Sequence, residues 1–248
     1  MSKFEDFARL HVPGDPLVLF NVWDAGSAQA VAKAGAKSIA TGSASVAMAN
    51  GFGDGERVPI DFALDNARRI VGAVDLPVTV DFEGAYATDP GGVGRNIARL
   101  AETGAVGCNF EDQQVGGEGL YPIAVQAERI AAARAAVGPD FFINCRTDLF
   151  LKAKQETHDS AMLDEAIERV RAYAEAGASG FFVPMLGDLD LLRRLCAESP
   201  IPVNFMTYPG CPSNADIGAT GVARISHGPF PYMALMGQLE EMARTPIL

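Results

Sequence analysis

Short apolar runs recur along the chain, and polar residues or glycine bound each of them. Eight of these runs have the length of β-strands. Most are apolar throughout instead of alternating with polar residues, which is typical of strands buried on both faces of a parallel sheet. The predicted strands are residues 17–22, 38–41, 78–81, 106–110, 141–146, 180–184, 203–206 and 222–226.

Segments with apolar residues at helical spacing lie between the predicted strands, with charged residues on the opposite face. A short motif marks where such helices end. Residues 33–36 read Lys-Ala-Gly-Ala, so that a glycine follows the last helical residues and an apolar run begins at once. Glycine readily adopts the left-handed conformation of a helix cap. The motif recurs at residues 102–105, 175–178 and, more loosely, 216–219.

Eight strands alternating with helices in a chain of 248 residues predict an α/β fold, namely a (β/α)₈ TIM barrel. A doubly wound open sheet is the structural alternative. It normally has fewer strands, and no Gly-x-Gly-x-x-Gly motif follows the first strand here. We find no linker and no low-complexity tract, and we interpret residues 1–248 as a single barrel domain.

Acidic residues outnumber basic ones by 31 to 20, and the formal net charge is −11. An acidic surface repels nucleic acids and anionic membranes, so neither is an expected partner. No apolar stretch is long enough to span a bilayer, and the first residues lack the apolar segment of a secretory signal. The four cysteines match no zinc-site spacing and are interpreted as reduced thiols, which suits a cytoplasmic protein.

Carboxylates follow two neighbouring predicted strands. In a (β/α)₈ barrel the chemistry lies at the carboxyl ends of the strands. Asp81 and Glu83 follow the third strand and point to the same side, and Glu111 follows the fourth. If these strands are parallel neighbours, three carboxylates meet at one mouth, where a divalent cation would offset their repulsion. The alternative is that they cap helices or pair with surface lysines.

An anion-binding half completes the predicted site. Arg146, at the end of the fifth strand, can grip a carboxylate with two N–H groups, or form a salt bridge to Glu111 or Asp148. Gly42 and Ser43 follow the second strand and can present backbone N–H groups to an anion, or form a plain turn. We therefore expect a site that binds a metal ion and an anionic group together.

Other residues at strand ends are weaker candidates for the site. Trp23 and Asn204 lie there, and packing is the alternative interpretation for Trp23. His227 has a titration range that suits acid–base catalysis, with a structural histidine as the alternative. His11 and His158 fall in expected surface segments. The loop of residues 50–56 contains three glycines and can close over the site as a gate, or remain a simple surface loop.

Together, the strand-end motifs resemble those of the isocitrate lyase/phosphoenolpyruvate mutase superfamily along nearly the whole chain and in the expected order. The matching segments are Asn21-Val22-Trp23-Asp24-Ala25, Thr41-Gly42-Ser43, Gly53-Asp54-Gly55-Glu56, Val80-Asp81-Phe82-Glu83-Gly84-Ala85-Tyr86, Phe110-Glu111-Asp112-Gln113, Cys145-Arg146-Thr147-Asp148 and Pro202-Val203-Asn204.

The resemblance implies a (β/α)₈ barrel, often with a C-terminal helix exchanged between subunits, in a homodimer or homotetramer. It implies Mg²⁺ (or Mn²⁺) and a small anionic carboxylate substrate. By position, Asp81 is implied as the direct metal ligand, while Glu83 and Glu111 hold metal-bound water. The candidates for substrate binding are Trp23, Gly42, Ser43, Asp81, Arg146 and Asn204, and those for catalysis are Asp54, Arg146, His227 and Tyr121.

Two departures from the superfamily pattern bear on the reaction. Isocitrate and methylisocitrate lyases carry Lys-Arg-Cys-Gly-His, or a near relative, in the loop after the fourth strand. Residues 114–121 contain no cysteine, lysine or histidine, and the lysine and asparagine of phosphonomutases are missing as well. Glu83 also replaces a usual aspartate, which shifts that carboxylate by about one methylene group.

The expected function is a Mg²⁺-dependent lyase or decarboxylase that cleaves a C–C bond in a small 2-oxo or substituted dicarboxylic acid through an enolate-like intermediate. Loss of CO₂ creates the enolate without a thiol base, and His227 or Tyr121 is the expected proton donor. One alternative is a phosphonomutase that acts on phosphoenolpyruvate or carboxyphosphonate compounds. The other is a barrel that binds a small acid without turning it over.

Overall fold

A computed structural model describes residues 2–244 of the chain, and their strands form one parallel sheet that is nearly closed. The strands are β1 (Leu17–Leu19), β2 (Asn21–Val22), β3 (Ile39–Thr41), β4 (Val78–Asp81), β5 (Gly107–Glu111), β6 (Phe142–Arg146), β7 (Gly180–Pro184), β8 (Val203–Met206) and β9 (Arg224–Ser226). The predicted TIM-barrel fold is confirmed. The predicted domain also includes residues 1 and 245–248, which lie outside the described range.

The first predicted strand is divided in two. β1 pairs with β9, while β2 pairs with β3, and only Phe20 separates β1 from β2. The two halves therefore act as one barrel strand that changes partners midway. Phe20 is about half exposed, like Val18 two residues earlier, because side chains alternate along an extended chain and these two point away from the buried face.

Helices surround the sheet, and several begin as their sequences predict. Asp89 caps the helix that starts at Pro90, and its Oδ1 accepts from Gly92 N–H at 2.9 Å. Proline fits this first position because its missing N–H would have no helical partner. The helices are α1 (Lys3–Arg9), α2 (Ala25–Lys33), α3 (Ser43–Ala49), α4 (Ile60–Ala73), α5 (Pro90–Ala101), α6 (Ile123–Val137), α7 (Leu149–Lys152), α8 (Ser160–Glu175), α9 (Leu189–Glu198), α10 (Asn214–Gly218) and α11 (Phe230–Arg244).

Three of the four predicted helix–strand junctions have the expected glycine geometry. Gly35, Gly104 and Gly177 have φ angles of 97°, 88° and 102°, in the left-handed region. The loosest match was wrong in detail, because Gly218 ends α10 within the helix. There Gly221, with φ of 99°, makes the left-handed turn instead.

Helix α1 covers the amino-terminal end of the barrel, which we call the base. Phe7 is fully buried there in a cluster that includes Leu17 and Phe142. His11 follows α1 and stacks on the Phe142 ring at 4.3 Å, so its expected surface position was wrong. Burial, followed by the nearby positive charge of Arg224, lowers the pKa of His11 to about 3. The imidazole is thus a neutral, flat packing group.

The C-terminal helix α11 leaves an apolar face uncovered. Met233, Leu235, Leu239 and Met242 are each about half exposed. The predicted exchange of this helix between subunits stays a prediction. Within residues 2–244, no helix is both long enough and apolar enough to cross a bilayer.

Candidate active site

The carboxyl ends of the strands surround a cavity of about 210 Å³, which we call the mouth. A site of this size is smaller than the roughly 300–1,000 Å³ typical of drug-sized ligands, so it suits a small molecule. Five of the predicted site residues line the mouth together. They are Gly42, Ser43, Asp54, Asp81 and Arg146, which come from four different segments of the chain.

Asp81 ends β4 with its carboxylate at the wall of the mouth. Its Oδ2 accepts hydrogen bonds from Ser43 N at 3.0 Å and Ser43 Oγ at 2.9 Å. Its Oδ1 accepts a longer hydrogen bond, 3.4 Å, from the Asn109 side chain. Its own N–H donates to Thr41 Oγ1. Asp81 is therefore held from both sides of the carboxylate, with lone pairs left for a cation.

The predicted use of Gly42 and Ser43 for anion binding needs correction. Gly42 N–H donates to the Val22 carbonyl within the parallel ladder, at 3.2 Å. Ser43 N–H donates to Asp81. Both backbone N–H groups thus already donate hydrogen bonds within the protein, to the end of β2 and to the Asp81 carboxylate. Of the predicted anion-binding residues, Arg146 is the one that can still contact an anion.

Glu83 lies in a turn with unusual backbone geometry. Its φ is 50°, and those of Ala85 and Tyr86 are 63° and 55°. Left-handed conformations cost non-glycine residues about 1–3 kcal/mol each, and they concentrate at functional sites. Burial, then repulsion from Asp54 and the other acids of the site, raises the pKa of Glu83 to about 8.

The predicted gating loop rests on this turn. Glu56 N–H donates to Glu83 Oε2 at 2.6 Å, and the Glu56 carboxylate accepts from Tyr86 N–H at 2.7 Å. These two bonds hold the loop down, and Asp54 reaches the mouth as a result. Burial, followed by repulsion from Asp81, raises the pKa of Asp54.

Glu111 and Arg146 form a buried ion pair between β5 and β6, with 3.1 Å between Oε2 and Nη1. Arg146 also pairs with Asp148 through Nε. Burial acts to lower the pKa of Arg146, but the surrounding carboxylates raise it on balance. Burial raises the pKa of Glu111 in spite of Arg146. Gln113 donates to the other Glu111 oxygen at 2.8 Å.

The neighbouring acid, Asp112, faces the opposite way, as alternation along an extended chain requires. Its Oδ2 lies 3.1 Å from Arg169 Nη1 and accepts from the Tyr173 hydroxyl at 2.9 Å. Asp148 N–H donates to its other oxygen. Asp112 therefore anchors helix α8 to the sheet, whereas Glu111 pairs with Arg146, which lines the mouth.

The acids of the mouth fit a magnesium ion that is bound largely through water. In the part of the chain that the structure describes, no group of three or more His, Cys, Asp or Glu side chains is arranged to hold a metal ion alone. Mg²⁺ usually takes one or two carboxylates and keeps several waters. The site offers Asp54, Asp81, Glu83 and Glu111 against the single guanidinium of Arg146, so it has an excess of hard anionic oxygens.

Four predicted site residues lie apart from the mouth. Trp23 packs on the Tyr232 ring of α11, at 5.1 Å between centroids. His227 turns its ring toward β1, where Nδ1 lies 3.0 Å from the Leu19 carbonyl oxygen. Tyr121 stacks on the Arg129 guanidinium and lines a neighbouring polar cavity. Their catalytic and binding roles stay predictions.

Asn204 is the fourth, and it is buried in the barrel interior below the mouth. Its Oδ1 accepts from Asn144 at 3.0 Å, and its Nδ2 donates to the Phe205 carbonyl. The prediction placed it at a strand end, but it is the second residue of β8. The amide of a buried asparagine needs hydrogen-bond partners within the protein, which accounts for these contacts.

Sequence reasoning missed Asn109, Glu56 and Asn21. Asn109 lines the mouth and contacts Asp81, and an amide within an otherwise apolar strand was its available signal. Asn21 Oδ1 accepts from His227 N–H at 2.8 Å and Gly228 N–H at 2.9 Å, which joins the first and last strands. The contacts of Glu56 depend on a loop conformation that had no signal in the pattern.

The sequence and the structure of this chain are both similar to those of known proteins. The family model described as phosphoenolpyruvate phosphomutase matches residues 7–246. A solved structure from Burkholderia cenocepacia J2315, provisionally described as a phosphonomutase, is 50% identical and has a TM-score of 0.95. The match covers 98% of this chain and 97% of that one.

Curated relatives are more distant. An uncharacterised protein of Mycobacterium tuberculosis is 36% identical over 233 residues, which are 92% of this chain and 83% of the relative. The 2-methylisocitrate lyase of Escherichia coli K12 is 29% identical over 213 residues, which are 78% of this chain and 69% of the relative.

Proposed function

The chain belongs to the phosphoenolpyruvate phosphomutase family, in the isocitrate lyase/phosphoenolpyruvate mutase superfamily of C–C lyases and mutases, and from this premise we propose its reaction. We propose that it cleaves a C–C bond in a small 2-oxo or substituted dicarboxylic acid, with Mg²⁺ as cofactor. Members of the superfamily are Mg²⁺-dependent.

One observation carries the proposal: Asp81 and Arg146 face the same small cavity from β4 and β6. Asp81, assisted by water held at Glu83 and Glu111, would hold the cation. When bound, Mg²⁺ acts as a Lewis acid on a 2-oxo carboxylate and stabilises the charge of an enolate. A cationic side chain opposite the acids suits a substrate that presents a second anionic group.

Substrate binding, exclusion of water and proton transfer are assigned to other residues of the chain. Arg146 keeps Nη2 without a hydrogen-bond partner among residues 2–244, so this group is available to a substrate carboxylate. The gating loop, held by Glu56, excludes water from the enolate and brings Asp54 to the mouth as the nearest proton carrier. Tyr121 and His227 remain our alternative proton donors.

A cysteine base does not fit this chain. Burial raises the pKa of the Cys108 thiol to about 12 and raises that of Cys145 well above its ordinary value. The loop after β5 forms a tight hairpin in which Gln114 N–H donates to the Gly119 carbonyl, and it carries no thiol. A decarboxylation, in which departure of CO₂ itself creates the enolate, needs no such base. A retro-aldol cleavage would also need a group to take the proton of the substrate hydroxyl, and Asp54 at the mouth is our candidate for it.

A second candidate is a phosphonomutase reaction on a phosphoenolpyruvate-like substrate. The observation that favours it is the 50% identity to the Burkholderia cenocepacia protein provisionally described as a phosphonomutase. The same cation and Arg146 would then hold a phosphonate or phosphate. The missing lysine and asparagine in residues 114–121 count against this candidate.

The test is a substrate panel with and without Mg²⁺. We expect pyruvate or a related 2-oxo acid to be released from oxaloacetate or alkyl-substituted malates, and only when the cation is present. Phosphorus NMR with phosphoenolpyruvate and phosphonopyruvate provides the second arm. Interconversion of these two compounds, without cleavage of any dicarboxylic acid, would replace the lyase proposal with the mutase.

We also propose that copies of the chain associate through α11. The supporting observation is the uncovered apolar face of this helix, and Leu239 is 54% exposed. Sedimentation equilibrium should give a homodimer or homotetramer, and Leu239→Glu should shift it toward the monomer. A monomeric wild-type protein at micromolar concentration would remove this proposal.

A further inference from the structure

Arg224 is a buried charge that the proposed reaction does not use. It begins β9 and is 1% exposed. Among residues 2–244 it has no carboxylate partner, and its Nε and Nη1 atoms have no hydrogen-bond partner. Burial lowers the pKa of Arg224 to about 10, so the group remains charged at neutral pH. The guanidinium carbon lies over the Phe7 ring, 6.0 Å from its centroid. Burying such a charge without a carboxylate partner is expensive, and a hydrophobic side chain would cost less.

Within residues 2–244, the guanidinium makes a single hydrogen bond, and its acceptor lies at the mouth. Nη2 of Arg224 donates to Asn109 Oδ1 at 3.2 Å, and Asn144 Nδ2 donates to the same oxygen at 2.8 Å. An amide oxygen that accepts from two donors fixes the orientation of the amide. If Asn109 flipped, its NH₂ group would face two other donors.

The fixed amide contacts the proposed metal ligand. Asn109 Nδ2 points to Asp81 Oδ1 at 3.4 Å, while Ser43 holds the other Asp81 oxygen. Among the charged groups that raise the pKa of Arg224, the Asp81 carboxylate has the largest effect. Two hydrogen bonds, through Asn109, therefore connect Arg224 at the base with Asp81 at the mouth.

We propose that Arg224 is a positioning residue, which orients the Asp81 carboxylate for the cation through Asn109. The inference rests on the proposed function, because it takes Asp81 as the metal ligand. Partners that orient a ligand from outside typically change metal affinity by about 10–100-fold when they are removed.

Direct metal binding tests the proposal without any need for turnover. Mn²⁺ titration followed by electron paramagnetic resonance measures the free ion and therefore its dissociation constant. Arg224→Met should weaken Mn²⁺ binding by about 10–100-fold. Its thermal unfolding midpoint should be equal to or above that of the wild type, because a costly buried charge is removed. If Arg224 had only a structural role, Arg224→Met would lower the unfolding midpoint and leave Mn²⁺ affinity unchanged.

A matched control and a double variant make the test specific. Arg134 is also partly buried, but it donates to the carbonyls of Gly177, Gly138 and Phe141. Arg134→Met should lower the unfolding midpoint and leave Mn²⁺ affinity unchanged. In an Asn109→Ala background, Arg224→Met should weaken binding by less than about twofold further, since coupled residues are not additive.

Several outcomes overturn the inference. The first is a folded Arg224→Met protein that binds Mn²⁺ as tightly as the wild type. The second is a double variant in which the losses of Mn²⁺ affinity from Asn109→Ala and Arg224→Met add fully. If Arg224→Met does not fold, Asn109→Ala decides alone, because the proposal requires the same loss there. Equal Mn²⁺ affinity in the wild type and Asp81→Asn would instead refute the metal site of the proposed function.

Discussion

The mouth and the base of this barrel carry buried charge of opposite sign. At the mouth, Asp54 and Asp81 line the cavity with one arginine, Arg146, and the buried acids Glu83 and Glu111 lie nearby. At the base, Arg224 has no carboxylate partner in the described residues, and the nearby His11 is neutral. Charge at the mouth can be neutralised by ions and substrates that come and go, whereas charge at the base depends on fixed contacts.

This difference agrees with the general division of labour in TIM barrels, in which the carboxyl ends of strands carry chemistry and the amino ends carry stability. We therefore expect substitutions at the mouth to change activity more than folding. Substitutions at the base should change folding more than activity. Arg224 is the proposed exception, since its one hydrogen bond connects the two regions.

The largest expected effect is at the mouth. Asp81→Asn removes the charge of the proposed metal ligand and should lower kcat/KM by about 10⁴-fold, or about 5 kcal/mol of transition-state stabilisation. The folded state should persist, because one of several repelling acids is gone. Product release and thermal unfolding measure the two effects. Asp24→Asn, at a helix cap, is the matched control and should leave activity and stability nearly unchanged, because asparagine caps a helix about as well as aspartate.

The corresponding test at the base is Phe7→Ala. This ring is fully buried, and its loss should lower the free energy of unfolding by about 3–5 kcal/mol. Urea denaturation provides the measurement. The kcat/KM of the folded fraction should stay within about twofold of wild type. A large activity loss with unchanged stability would erase the distinction between the two ends.

A smaller effect is expected for Arg146→Lys. Lysine keeps the charge but cannot reproduce the forked contacts of Arg146 with Glu111 and Asp148. We expect kcat/KM to fall by about 100-fold, or about 2.7 kcal/mol, mainly through KM for the dicarboxylic acid. Steady-state kinetics would show this, and a loss confined to kcat would argue against anion binding by Arg146.

The smallest effect is a pH dependence at the base. The folded pKa of His11 is about 3, below the ordinary value of about 6.5 in an unfolded chain. Between these values the unfolded chain binds the proton and the folded chain does not. The contribution of His11 is therefore fully present above pH 6.5 and is lost as the pH falls, by about 2 kcal/mol at pH 5.

Substitution of His11 isolates this contribution. Urea unfolding of the wild type and His11→Phe should be compared at pH 7.5 and pH 5. The wild type should lose about 2 kcal/mol more than the variant on acidification. Equal losses would mean that His11 gains a proton in the folded state, and that the base is not a neutral packing region.

The outline of the fold could be predicted because a strand buried on both faces leaves a continuous apolar run. The strands β4 to β8 lie within about one residue of their predicted bounds. The break at Phe20 was not predicted, and residues 17–22 were interpreted as one strand. Whether one strand keeps or changes its partner depends on closure of the whole sheet, which no local pattern records.

The candidate site was predicted where function requires polar residues at strand ends, as at Asp81 and Arg146. Side-chain direction was harder to predict. His227 and Trp23 follow strands as expected, but neighbouring helices and strands determine which way their rings turn. The burial of His11 and Arg224 was missed for a related reason. A polar residue inside the barrel has the same local sequence as one at its surface.

The junction between β1 and β9 has a consequence for synthesis of the chain. β1 and β9 pair with each other, and next to them Asn21 of β2 accepts a hydrogen bond from His227, 206 residues later in the chain. While the ribosome is still making the last strand, all the acids of the mouth have already been made, but the sheet has two open edges. An unfinished chain therefore exposes unpaired strand edges that can pair with other nascent chains, and this exposure ends only when β9 joins the sheet.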